Sequence, residues 1–117
     1  MTATFFGAAF DARDAARLAG FWSAALGRPV NDGATADHAA IDATTPERGP
    51  RLAFHRVPET KTVKNRFHPD LITSDFDAET QRLLDLGATT INQVTSTTAR
   101  WTTFADIEGN EFDLIAG

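Results

Sequence analysis

The chain has 117 residues, 42% of them hydrophobic, and a net charge of −5; this suits one soluble globular domain with a single core. The acidic balance argues against nucleic acid as a partner, because phosphate binding needs a concentrated basic face. No apolar run reaches the roughly 18 residues of a membrane-spanning helix, and no membrane partner is expected. With no cysteine, disulfides, thiolate catalysis and sulfur-ligated zinc are excluded. The N-terminus does not read as a signal peptide, so the expected location is cytoplasmic.

Residues 2–10, rich in Thr, Phe and Ala, read as a buried strand. Asp11 or Asp14 can then cap a helix, since a short carboxylate accepts the free amide hydrogens of a first turn. Across 14–26 the apolar residues Leu18, Phe21, Trp22 and Ala25 form one helical stripe. Gly27 and Pro29 stop that helix. Three strands are expected next, at 29–31, 38–42 (the weakest) and 51–57, with an Asp32-Gly33 turn and a loop at 44–50 between them. The last strand alternates, with Leu52 and Phe54 on one face and Ala53, His55 and Val57 on the other.

The stretch 61–71 carries Lys61, Lys64, Arg66 and one of only three histidines, His68. It leads into an expected strand at 66–73. Ser74 or Asp75 caps a second helix, with acids in its first turn and Phe76, Leu83 and Leu84 at helical spacing. Gly87 ends it as Gly27 ended the first. Strands are expected at 89–94, 99–105 and 111–116, the last two joined by a turn in which Gly109 and Asn110 are able to take positive φ. The second half thus repeats the order of the first: strand, helix, three strands. The reading is one α+β domain, 1–117, made of module 1 (1–60) and module 2 (61–117).

The motifs Phe21-Trp22-Ser23-Ala24-Ala25-Leu26-Gly27, Phe54-His55-Arg56-Val57-Pro58-Glu59, Lys64-Asn65-Arg66-Phe67-His68, Leu86-Gly87-Ala88 and Asp106-Ile107-Glu108-Gly109-Asn110-Glu111-Phe112-Asp113 follow in that order. In this arrangement the chain resembles the vicinal oxygen chelate superfamily, which includes glyoxalase I, bleomycin resistance proteins and extradiol dioxygenases. It is most similar to the small bacterial glyoxalase-like domains. The resemblance implies two tandem βαβββ modules forming a concave cleft, and a homodimer. In metal-dependent members it also implies a divalent ion held by up to four side chains from the first and last strand of each module.

On that resemblance His68 and Asp113 match two ligand positions. A third falls near Ala53 or His55, and matching Phe54-His55 to Phe112-Asp113 selects His55. The fourth falls on Gly7, which has no side chain. Pro69 also departs from the pattern, because it removes a ladder hydrogen bond directly after His68. The expected metal set is therefore His55, His68 and Asp113, suited to Fe, Mn, Ni or Zn, with Glu111 flanking it as a candidate catalytic base or hydrogen-bond acceptor. Trp101 is a candidate substrate contact, being on the opposite strand face from Phe104. Arg66 is another, from a basic cluster (Arg56, Lys61, Lys64, Arg66) that otherwise reads as solvated loop or subunit contact. His38 is expected to be exposed, and Phe21 and Trp22 to be core.

Three functions remain open at this point. The domain binds a small molecule without a metal; it is a metal-dependent lyase, isomerase or dioxygenase acting on vicinal oxygens; or it is a non-catalytic dimerisation module. The competing reading of His68 is a structural residue, hydrogen-bonded to a neighbouring strand or loop.

Overall fold

The computed structural model describes residues 1–43 and 49–117; residues 44–48, most of the expected loop at 44–50, lie outside the described residues. The chain divides into two compact units, Met1–Thr60 and Lys61–Gly117. Each is a small mixed sheet with one helix, an α+β arrangement.

The first unit contains β1 (Gly7–Ala12), α1 (Ala15–Leu26), β2 (His38–Ile41) and β3 (Arg51–Arg56). Its sheet has the order β1-β3-β2, with β1 parallel and β2 antiparallel to β3. Asp14 caps α1 by accepting from the Arg17 N–H at 3.1 Å, and Gly27 ends it in the left-handed region at φ 65°. The expected stripe is the buried one: Leu18, Phe21, Trp22 and Ala25 all face inward. Phe10 stacks on Phe54 at 5.1 Å and touches Trp22 at 5.3 Å, so these three rings join helix to sheet. Each ring contributes several kcal/mol, about what is lost when such a side chain is truncated to alanine.

Two expectations for this unit are corrected. β1 starts at Gly7 rather than residue 2, because its parallel partner begins only at Arg51, directly after Pro50; Phe5 and Phe6 are exposed. Residues 29–31 form no strand and give only one ladder-like bond, from the Asn31 N–H to the Ala40 carbonyl at 2.9 Å. Among the described residues, two strands therefore follow the first helix, not three.

The second unit contains β4 (Asp70–Thr73), α2 (Phe76–Asp85), β5 (Thr89–Thr95), β6 (Arg100–Ala105) and β7 (Glu111–Ala116). The sheet order is β4-β7-β6-β5, with β4 parallel to β7 and the other pairs antiparallel. Asp75 caps α2 through the Ala78 N–H. Leu83 is fully buried and packs in the same core as Leu114 and the stacked Phe104 and Phe112, whereas Leu84, expected on the inward stripe, is exposed.

The expected strand at 66–73 shortens to Asp70–Thr73. Pro69 is the reason: its carbonyl accepts the Asp113 N–H at 3.0 Å, but it has no N–H of its own to give to β7. The turn after β6 is tied by Asp106, whose carboxylate accepts from the backbone N–H groups of Glu108 and Asn110 and from the Asn110 side chain. Gly109 takes the positive φ there (91°); Asn110 does not.

Candidate functional site

Both units pair their first and last strands in parallel, and the registers relate them position by position. Counting back from the helix caps Asp14 and Asp75, Gly7 corresponds to His68 and Ala9 to Asp70. Ala9 pairs with Ala53, and Asp70 pairs with Asp113. The counterpart of Asp113 in the first unit is therefore Ala53, and His55 stands two residues further along the same strand face, where the second unit has Ile115.

In the second unit the polar face converges. Residue 68 precedes a proline, which holds its backbone extended, so His68 and Asp70 project to the same side of the chain. His68 Nδ1 lies 3.7 Å from Asp70 Oδ1 and 3.7 Å from Asp113 Oδ2. These three side chains, with ligand atoms within 4.8 Å of one another, are the group suited to a metal ion among the described residues. Thr103, opposite Asp113 across β6 and β7, donates its hydroxyl to Asp113 Oδ1 at 2.5 Å. That bond leaves Oδ2 turned toward His68.

Glu111 lies two residues before Asp113 on the same strand face but has a different role. It is buried, its Oε1 lies 2.8 Å from Lys61 Nζ, and its carboxylate accepts from the Asn65 N–H at 3.3–3.4 Å. Burial pushes its carboxyl up, but the Lys61 ammonium and the Asn65 N–H outweigh that and hold it below the ordinary glutamate value. A carboxylate so paired is a weak base. It ties residues 61–65, the approach to His68, onto the start of β7.

The remaining expected site residues are scattered. Arg66 is exposed, between Asn65 and His68. Trp101 is half-buried near the start of β6 and borders a groove of about 190 Å³ shared with Phe76, Thr80, Gln93 and Arg100; none of the three clustered ligands lines it. Phe104, its alternative, is fully buried. In the first unit His55 is exposed with the His38 ring beside it. An ideal Cβ built on Gly7 would collide with the Arg51 carbonyl oxygen.

Asp70 was not singled out from the sequence. The signal was present, since residues i and i+2 of an extended segment share a face, but the pairing with Asp113 that completes the cluster is a property of register. The Lys61–Glu111 tie spans 50 positions and has no local signature.

A family model for the glyoxalase-like domain matches residues 7–115. The chain belongs to the glyoxalase-like domain family. It thereby falls in the vicinal oxygen chelate superfamily, and solved structures with this fold are similar over most or all of the chain. A hypothetical protein from S. aureus aligns at TM-score 0.75 and 14% identity, covering 100% of this chain and 96% of its own. A glyoxalase/bleomycin resistance protein/dioxygenase family enzyme from Burkholderia phytofirmans PsJN aligns at TM-score 0.72 and 15% identity, covering 92% and 94%. A mutant of the fosfomycin resistance protein FosX from Listeria monocytogenes, complexed with Mn(II) and 1S,2S-dihydroxypropylphosphonic acid, aligns at TM-score 0.77 and 15% identity, covering 100% and 92%. No curated protein sequence matches the chain.

Proposed function

We propose that this glyoxalase-like domain binds a divalent cation at His68, Asp70 and Asp113 and, through it, a small molecule presenting two adjacent oxygens. The observation that supports this is the approach of one imidazole and two carboxylates at 3.7 Å. Ligand atoms around an ion at about 2.1 Å stand up to roughly 4.2 Å apart, so both His68 contacts meet that limit, and the third separation, within 4.8 Å, needs only a small side-chain adjustment. One nitrogen and several oxygens suit Mn(II) or Fe(II), and also Ni(II) or Zn(II). When bound, such an ion supplies Lewis-acid stabilisation of negative charge developing on substrate oxygens, the chemistry of a lyase, isomerase or dioxygenase.

The chain's own contributions are positional. Thr103 orients Asp113, and Glu111 holds the segment that delivers His68 instead of serving as the base. Arg66, exposed two residues before His68, is the substrate contact in this reading; Trp101 borders a groove that the three ligands do not line, and His55 is not a ligand of this cation. A second reading, metal-free binding of a small molecule, is favoured by one observation: the first unit's counterparts of the cluster are Gly7, Ala9 and Ala53, which offer no donor. In both readings the protein is a homodimer in the cytoplasm, and exposed Phe5, Phe6, Phe67 and Ile72 are available for contact with a second copy.

The deciding experiment is Mn(II) titration, with metal analysis, of protein made without a histidine tag. One equivalent bound by the wild type and lost in His68→Ala and Asp113→Asn supports the metal reading. No Mn(II) binding, together with a melting point that rises when aromatic or 2-oxo compounds are added, supports the metal-free one.

A further inference from the structure

We propose that His38 and His55 form a second cation site, a two-imidazole chelate confined to the first unit and selective for late d-block ions such as Cu(II), Ni(II) and Zn(II). The two residues are direct cross-strand partners on β2 and β3. Their neighbours Asp37 and Arg56 are joined by a backbone bond, Arg56 N–H to Asp37 carbonyl at 2.9 Å. In an antiparallel ladder hydrogen-bonded and non-hydrogen-bonded pairs alternate, so His38 and His55 occupy the non-hydrogen-bonded kind, in which side chains stand closest. Their ring centroids are 5.1 Å apart. A cation held at about 2.1 Å lies roughly 3 Å from each ring centre, so two rings sharing one ion have centres within about 6 Å of each other. The observed spacing meets that limit without moving the backbone.

Both side chains are exposed, so an ion reaches them directly from solvent. The His38 end is also held in place. Thr35 Oγ1 accepts from the backbone N–H groups of Asp37 and His38, each at 3.2 Å, and the Thr35 N–H donates to the His38 carbonyl at 2.8 Å. The remaining coordination positions are open to water. Two nitrogens with water favour borderline cations over Mg(II) or Ca(II), which seek oxygen. The donor set differs from that of His68, Asp70 and Asp113, so the two sites separate by residue and by the number of nitrogens bound to the metal.

The test is calorimetric titration of the untagged full chain with Cu(II) or Ni(II), with the Cu(II) paramagnetic resonance spectrum reporting bound nitrogens. His68→Ala, which disables the other cluster, is expected to keep a site with a two-nitrogen signature. His38→Ala and His55→Ala are each expected to weaken that site by more than about tenfold, because the loss of even outer partners of a metal ligand costs that much. Metal is expected to raise the melting point of His68→Ala, but not of the double variant His38→Ala/His68→Ala, in which both sites are disabled. Identical titrations for wild type and His38→Ala overturn the proposal, as does loss of all binding in His68→Ala. If one histidine variant fails to fold, the other carries the same comparison, and His38→Gln is a further alternative.

Discussion

Lys61 Nζ stands 2.8 Å from Glu111 Oε1, so a single ion pair fastens the first residue of the second unit to the first residue of its last strand. Both side chains are mostly shielded from water, at 21% and 11% exposure, which sets this pair apart from the solvated ones elsewhere in the chain. Glu111→Gln and Lys61→Met are each expected to lower stability by about 1–3 kcal/mol, the cost of leaving a largely desolvated partner without its bond. A double-mutant cycle on thermal unfolding is expected to show non-additivity above roughly 0.5 kcal/mol; additive losses would mean that the pair is not coupled.

The same pair predicts an acid response. Glu111 is more acidic in the folded chain than its ordinary value of 4.5. Its contribution to stability is therefore complete above that value and is lost as pH falls through the lower, folded one. Denaturant midpoints measured from pH 6 downward are expected to decline less steeply below about pH 4.5 in Glu111→Gln than in the wild type. Parallel pH profiles for the two proteins would remove Glu111 as a contributor.

Two glycines give opposite outcomes under one substitution. Gly7→Ala forces a Cβ against the Arg51 carbonyl and is expected to cost about 1–3 kcal/mol through overpacking. Gly20, within α1, has open space around its Cβ position, so Gly20→Ala is expected to stabilise by up to about 1 kcal/mol through helix propensity. Urea unfolding of both variants reads the two signs.

Thr103→Val removes the hydroxyl that holds Asp113 Oδ1 while keeping the shape of the side chain. Mn(II) affinity is expected to fall about 10–100-fold, in line with the loss of other outer hydrogen bonds to metal ligands. Asp113→Asn is expected to abolish binding. A Thr103→Val titration that matches wild type would separate that hydroxyl from the site.

Phe112 is fully buried and stacked on Phe104. Phe112→Ala is expected to cost about 3–5 kcal/mol, a large share of the stability of a small domain. The second unit has few other large buried side chains to absorb the loss, α2 contributing only Leu83. Circular dichroism melting checks this directly.

The elements that the sequence revealed best are those with local causes. The helix α1 has a cap, an apolar stripe and a glycine stop within fourteen consecutive positions, and all three act as expected. The last strand, 111–116, alternates cleanly and forms over those same residues. Strand starts were less legible, because β1 and β4 begin where a partner becomes available and not where β-formers begin. Phe5 and Phe6 favour a strand by composition and yet lie before the register starts. The candidate site divides in the same way. The family resemblance pointed to His68 and Asp113, whereas Asp70 entered through register with β7. A match of Phe54-His55 to Phe112-Asp113 selected His55, whereas the strand registers make Ala53 the counterpart of Asp113.

Gly7 also bears on what substitution can achieve in the first unit. A histidine introduced at position 7 would not supply a ligand, because the main obstacle is the main chain of the neighbouring strand at Arg51. Any route to a symmetrical donor set must first displace the beginning of β3, at Arg51, and only then change the residue facing it. Neither step is useful without the other, so single substitutions are trapped. A donor set that uses the first and last strands is therefore built more directly on the second unit, where His68, Asp70 and Asp113 already converge.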